Sequence, residues 1–441
     1  MPVRANDTGD KTRELQRALY RAAKASAARR FHTLFDKMYR EDILRRAWRE
    51  VKGNAGAAGV DGQTISDIEQ RGVDQFLATL AADLQEGKYR PRPVRRVLIP
   101  KADGGERPLG IPTVRDRVVQ AAAKVVLEPI FEADFRDCSY GFRPRRSAHQ
   151  AMGVIRSAVN AGANWVVDAD IAAFFDQVDP TVLMKLVGRR VNDRRMLKLV
   201  RQWLAAGVMV GGEFTPSEQG VPQGSVISPL LANVVLHQLD RLWENRCRNL
   251  GQLVRYADDL VILCKTESQA REGLRRIGLV LDRLGLSLHP DKTRVVFVGD
   301  GQRGFDFLGF HCRKVESWRW PGRRYLWMWP GRRAMERVRE RIKAITAPRP
   351  RLLEPLQNLI AELNPVLRGW GAYFRLGNSS QQFALINRYI HERLALFLSK
   401  KARRSGRNWR GRYAWAYFQR LGIYRLSGTT ARRMAAPTAT R

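Results

Sequence analysis

Cysteine is scarce in this 441-residue chain: Cys138, Cys247, Cys264 and Cys312 lie far apart and form no Cys-x-x-Cys pair. That scatter argues against a zinc module and for a reducing, cytoplasmic setting. Acidic residues are also few, 43 against 78 Lys and Arg, which leaves a formal charge of +35. No apolar run approaches the roughly 18 uninterrupted residues of a membrane span. The opening "MPVRANDTGDKTRELQ" has no apolar signal region, and no internal repeat is visible. Membrane partners are therefore not expected.

The hydrophobic content of 44% is enough for real cores, and the length suits two or three domains. An excess of positive charge this large repels itself unless a polyanion offsets it, so nucleic acid is the expected partner. A ribosomal or packaging protein of equal charge would rarely carry so much apolar sequence.

Residues up to about Gly87 read as charged helices, broken by "GNAGAAGVDG". Short strands follow, "YRPRPVRRVLIPK" and "GGERPLGIP", with Gly104-Gly105 suited to a hairpin between them. "WVVDADIAAFF" is strand-like, and "SPLLANVVLHQLDRLWENR" is an amphipathic helix. Past about Trp329 the pattern is helical: Phe383, Ile386, Tyr389, Ile390, Leu394 and Phe397 mark one helix face. Lys401–Arg441 holds 11 Lys and Arg and no acid, with Trp409, Tyr413, Trp415, Tyr417 and Phe418 interleaved. Those arginines can contact phosphates while the aromatics form a small core of their own.

Within "LVRYADDLVILC" (Leu253–Cys264), Asp258 and Asp259 sit side by side between apolar runs. The runs read as two buried strands with Tyr256–Asp259 as the bend. Either the pair is a solvated hairpin tip, or the bend holds a divalent cation through hard carboxylate oxygens. A further ligand could come from "VVDADIAAFFD", where strand alternation puts Asp168 and Asp170 on one face and does not choose between them. Three carboxylates from these two places would suit a two-metal phosphoryl transfer.

"YADD", "DIAAFF" and the intervening "GVPQGSVISPLLAN" resemble the palm motifs of a reverse transcriptase. From "FHTLFDKMYREDILRRAW" almost to the end, the chain resembles a group II intron-encoded reverse transcriptase/maturase, with "AGVDG", "IPKADGGERPLGIPTVRDRVVQ", "CSYGFRPRRSAHQA", "LSLHPDKT", "FDFLGF" and "LNPVLRGWGAYF" in order. The resemblance implies an α+β right-hand polymerase: fingers and palm, an α-helical thumb/maturase domain and a basic C-terminal tail. The expected divisions are 1–85 for the N-terminal extension and start of the fingers, 86–324 for fingers and palm, 325–400 for the thumb and 401–441 for the tail. It selects Asp170, with Asp258 and Asp259, as catalytic metal ligands, adds Ile171 to the metal set, and implies Mg2+, with Mn2+ as a substitute.

It further implies that Lys101, Arg107, Gln223 and Lys292 meet the nucleotide, and that Phe175 is the gate against a ribose 2′-OH, with Phe174 a core residue. Phe307, Leu308, Gly309 and Phe310 would form the primer grip. Arg143, Arg145, Arg332, Arg333, Arg410 and Arg412 would contact nucleic acid. The implied activity is RNA-directed DNA synthesis from dNTPs, together with binding of intron RNA as a maturase and a part in intron mobility at a DNA target. Two other readings share parts of this pattern: a domesticated relative in phage defence or DNA repair, and an RNA-binding splicing factor without polymerase activity. Clustered core carboxylates argue against the last. The sequence departs from the family at Ala172-Ala173, where Lys-Gly is frequent. No paired-cysteine or His-Asn-His endonuclease segment follows the helical region, so entry into DNA is expected to proceed without a second-strand cut by this chain.

Overall fold

The computed structural model describes residues 5–100, 105–210, 213–215, 224–403 and 413–427. It divides into two compact units: residues 1–147 with 167–295, and residues 148–166 with 296–441.

In the first unit, helices Ala5–Ala25, Glu41–Gly53 and Val114–Glu132 pack together. Thr113 starts the last of these by accepting the Asp116 amide, and the buried Asp116 carboxylate receives the Tyr89 hydroxyl at 2.5 Å and the Thr113 hydroxyl at 2.7 Å. This polar cluster joins the helix to the segment that leads into the first sheet. Strands β1 (Val94–Pro100) and β2 (Glu106–Ile111) form the antiparallel hairpin expected from the Gly-Gly signal, with Pro100 opposite Glu106. The sheet is completed in the order β2-β1-β4-β5 by β4 (Val208–Val210) and β5 (Glu213–Thr215).

A second four-stranded sheet has the order β6-β7-β3-β8, from β3 (Trp165–Asp170), β6 (Gln252–Tyr256), β7 (Asp259–Cys264) and β8 (Arg294–Phe297). Leu260 to Cys264 is buried without a break, as suits a strand covered on both faces. Helix Ser228–Arg246, buried on every side from Leu230 to Leu236, is part of the same core.

In the second unit, β9 (Gly304–Phe307), β10 (Phe310–Glu316) and β11 (Arg324–Pro330) make an antiparallel sheet ordered β11-β10-β9. Helices Arg332–Thr346, Leu356–Phe374 and Ser380–Lys401 follow. Phe383, Ile386, Ile390, Leu394 and Phe397 are buried along the face that the spacing marks. The short helix Trp415–Arg420 docks through the fully buried Phe418, and Asn387 exchanges two hydrogen bonds with the Leu426 backbone. The aromatic content of the C-terminal region thus goes partly into packing.

Candidate active site

β6 and β7 are joined by a two-residue turn, Ala257-Asp258, with Tyr256 and Asp259 as the closing pair. Ala257 has φ 58°, the left-handed region that a tight hairpin demands and that costs a residue with a Cβ about 1–2 kcal/mol. Surrounding structure must hold it there.

Arg255 does so from the preceding strand. Its side chain is 0% exposed and every arm of its guanidinium is bound. Nε and Nη2 donate to the two Asp240 oxygens at 2.8 and 2.6 Å, Nη1 donates to Asn233 Oδ1 and the Ala257 carbonyl at 2.9 Å each, and Nη2 donates to Ser139 Oγ at 2.7 Å. A buried arginine so fully paired is stable in place, and it grips the carbonyl immediately before Asp258. Asn233 in turn donates to the Gly141 carbonyl at 2.9 Å, and Tyr140 N donates to the Arg255 carbonyl at 2.8 Å. Gly141 lies so close that a Cβ there would sit 2.4 Å from the Ala257 nitrogen. "SYG" and "SPLLAN" are therefore the scaffold of the "YADD" turn.

β3 supplies the other carboxylates. Asp168 and Asp170 share its accessible face, as alternation requires, with Val166, Val167 and Ala169 buried. Asp170 receives the Lys292 ammonium at 2.9 Å and Asp168 the Arg294 guanidinium at 3.1 Å. The Asp170 carbonyl accepts His289 N at 2.8 Å, and Ala172 N donates to the Ser287 carbonyl at 2.9 Å, so "LSLHPDKT" braces the end of the strand. Beyond it Ala173 has φ 39°. That is a left-handed position, which glycine adopts without the steric cost that alanine bears. Phe174 is buried in the core and Phe175 is half-buried, edge-on to it at 5.2 Å between ring centroids.

Loss of solvation, reinforced by the charges of Asp258, Asp170 and Asp168, pushes the Asp259 carboxyl up to about 7, with Lys292 acting the other way. Asp259 still reaches solvent at the turn surface, so an incoming cation has access to it. The donor chemistry, carboxylates alone, is that of a site for a hard divalent ion. Among the described residues, no group of three or more His, Cys, Asp or Glu side chains stands as a ready-made metal site.

Lys101, Gln223, Arg410 and Arg412 lie outside the described residues, as does the Arg107 side chain, whose backbone pairs with Ile99. Gly224, next to Gln223, has φ 103°, and a Cβ there would meet the Gly110 carbonyl of β2 at 2.4 Å. Ile171 is buried and bridges to Leu288. Arg143 is turned inward: it pairs with Glu132 at 2.7 Å and donates to the Ser139 carbonyl at 2.7 Å. Arg145, Arg332 and Arg333 are exposed, and Arg332 pairs with Glu336 at 2.8 Å.

In the second unit, Leu308-Gly309 is a two-residue turn with φ 49° and 79° between the buried Phe307 and Phe310. Tyr373 donates to the Leu308 carbonyl at 2.9 Å, and Gly331 N to the Gly309 carbonyl at 2.9 Å.

The residues that sequence reasoning missed are Arg255, Asp240, Asn233, Ser139 and Gly141. The one signal for them was an arginine inside an apolar strand run.

The carboxylate-bearing hairpin and strand both lie within residues 99–312, which match the family "Reverse transcriptase (RNA-dependent DNA polymerase)". Residues 335–415 match "Group II intron, maturase-specific domain". The chain belongs to the group II intron-encoded reverse transcriptase/maturase family.

Similar proteins include Protein YkfC of Escherichia coli, 36% identical over 69% of this chain and 89% of that protein. Group II intron-encoded protein LtrA of Lactococcus lactis is 36% identical over 48% of this chain and 35% of LtrA. Nuclear intron maturase 2, mitochondrial, of Arabidopsis thaliana is 29% identical over 41% and 29% of the respective chains. The chain thus spans nearly all of the first and about a third of the other two. No described helix is long and apolar enough to cross a membrane.

Proposed function

We propose that this protein is an RNA-directed DNA polymerase that also binds the intron RNA encoding it, assists its splicing and takes part in its mobility. The observation that carries the polymerase reading is the gathering of Asp258, Asp259, Asp168 and Asp170 around one turn and strand, where burial first and the three neighbouring charges second raise Asp259 to about 7. Such crowding is a cost unless a cation relieves it. Asp170, Asp258, Asp259 and the main chain of Ile171 would hold Mg2+ or Mn2+. When bound, such ions favour deprotonation of a primer 3′-hydroxyl and neutralise charge on the triphosphate.

The chain's own residues would do the rest. Phe175 borders the sugar and disfavours a 2′-hydroxyl. Lys101 and Arg107 clamp the triphosphate, for which guanidinium and ammonium groups are chemically suited. Gln223 lies against the nucleotide, and Lys292 releases Asp170 and turns to the departing pyrophosphate. The Leu308-Gly309 turn, fixed through both its carbonyls, steadies the primer. Arg145, Arg332, Arg333, Arg410 and Arg412 contact RNA or DNA phosphates. Fingers and palm then occupy 86–324, thumb 325–400 and basic tail 401–441.

Maturase assistance needs only a greater affinity for the folded intron RNA than for its unfolded forms. The test is a splicing time course at limiting Mg2+ with the RNA encoded around the gene. The Asp258→Ala, Asp259→Ala double variant should lose DNA synthesis yet still accelerate splicing. Charge reversal at Arg332, Arg333 and Arg339 should weaken splicing first. Failure of the wild-type chain to accelerate any such RNA removes the maturase half and leaves the polymerase.

A further inference from the structure

β10 and β11 are connected by the loop Ser317–Arg323, "SWRWPGR". The loop is ordered by its own hydrogen bonds. Ser317 N donates to the Arg323 carbonyl at 2.8 Å, Arg323 N to the Trp320 carbonyl at 3.1 Å, and Gly322 N to Glu316 Oε1 at 2.9 Å. Ser317 Oγ accepts the amides of Arg319 and Trp320 at 3.2 Å each.

On this frame Trp318 is 89% exposed and Trp320 49%. Arg319 lies over the Trp320 ring at 5.2 Å, and the Tyr325 ring is 6.4 Å from it on the other strand. Arg319, Arg323 and Arg324 are all exposed, and Glu316, 3.9 Å from Arg324, is the one acid within the loop or its closing pair. The tip stands seven residues of β10 away from the Leu308-Gly309 turn, about 20 Å at the usual strand rise, so it is a separate feature.

An indole held in water by an ordered, cationic loop is suited to a partner that offers a flat apolar face next to negative charge. A nucleobase with its phosphate is that chemistry. Two indoles on a narrow turn have room for one or two bases, which fits a loop or bulge in a folded RNA better than a long threaded strand.

We propose that the 317–323 loop is a base-stacking site for unpaired nucleotides of a folded RNA, with Trp318 on the base and Arg323 and Arg324 on its phosphates. The proposal rests on the reading that this chain acts on RNA.

The test is fluorescence anisotropy over a series of salt concentrations, with variants compared at matched salt, using the full chain, a labelled RNA stem closed by an adenosine loop, and a blunt RNA duplex of equal charge. Trp318→Ala should weaken binding of the looped RNA on the order of tenfold and leave the duplex unchanged, while Trp318→Phe recovers most of the loss. Arg323→Ala with Arg324→Ala should lower the salt dependence of looped-RNA binding, which Trp318→Ala should not. Equal affinity of Trp318→Ala and wild type for the looped RNA overturns the proposal, as does an equal loss on both RNAs. Sedimentation showing a wild-type dimer that Trp318→Ala dissolves would assign the loop to a second copy instead. A wild-type chain that binds neither RNA would refute the RNA reading itself, an outcome distinct from the others.

Discussion

At the scale of the residue, the "YADD" turn is held by contacts its own sequence does not contain. Gly141 faces backbone, not a side chain that could swing away, so a methyl group 2.4 Å from the Ala257 nitrogen must move the turn. Gly141→Ala should cost about 1–3 kcal/mol in urea unfolding and reduce primer extension more than it raises the KM for dNTP. Unchanged kinetics would show that the turn does not depend on this approach. Phe175 makes a different prediction. It is half-buried beside a fully buried neighbour, so trimming it opens space without emptying the core. Phe175→Val should raise incorporation of a matched ribonucleotide relative to its deoxynucleotide; an unaltered ratio returns Phe175 to a packing role.

At the scale of the element, helix Ser228–Arg246 carries both structural support and a pH liability. Burial, opposed by Asp240 and aided by Arg136, Arg255 and Arg241, pushes His237 down to about 4 from 6.5. The unfolded chain therefore takes up a proton below about 6.5 that the fold refuses until about 4. More protons are bound unfolded, so stability falls as pH drops through this window, by on the order of 2–3 kcal/mol from this group. Urea midpoints measured from pH 7 to pH 4 should fall less steeply in His237→Gln; identical slopes would show that His237 is not the titrating group.

Elements also show how far the sequence could be read. The β1–β2 and β6–β7 hairpins were legible because Gly-Gly and Asp-Asp interrupt apolar alternation, and Phe383 to Phe397 because its spacing is helical. The Arg255 network was not, since Asp240, Asn233 and Ser139 lie 15, 22 and 116 residues away and only the fold gathers them. Alternation kept Asp168 and Asp170 equivalent, and the structure keeps both on one face with a separate cation each.

At the scale of the whole molecule, a charge of +35 should make the proposed RNA binding steeply dependent on salt, with an expected slope of log K against log salt of several units. The C-terminal region contributes to this charge, but its residues do not all act alike. Phe418, Ile423 and Leu426 are buried. Removing 401–441 should therefore destabilise the second unit as well as flatten the slope, whereas Phe418→Ala in the full chain should lower the unfolding midpoint and leave the slope unchanged. An unchanged midpoint in Phe418→Ala would contradict the docking of 413–427.

The central claim, that Asp170, Asp258 and Asp259 form the site of DNA synthesis, is tested most directly by single-turnover extension of a DNA primer on an RNA template. Wild type should extend in Mg2+ and stop when the ion is chelated. Asp170→Ala and Asp258→Ala should each abolish extension while keeping the wild-type circular dichroism spectrum and unfolding midpoint. Extension by either variant at a rate near that of the wild type would contradict the assignment.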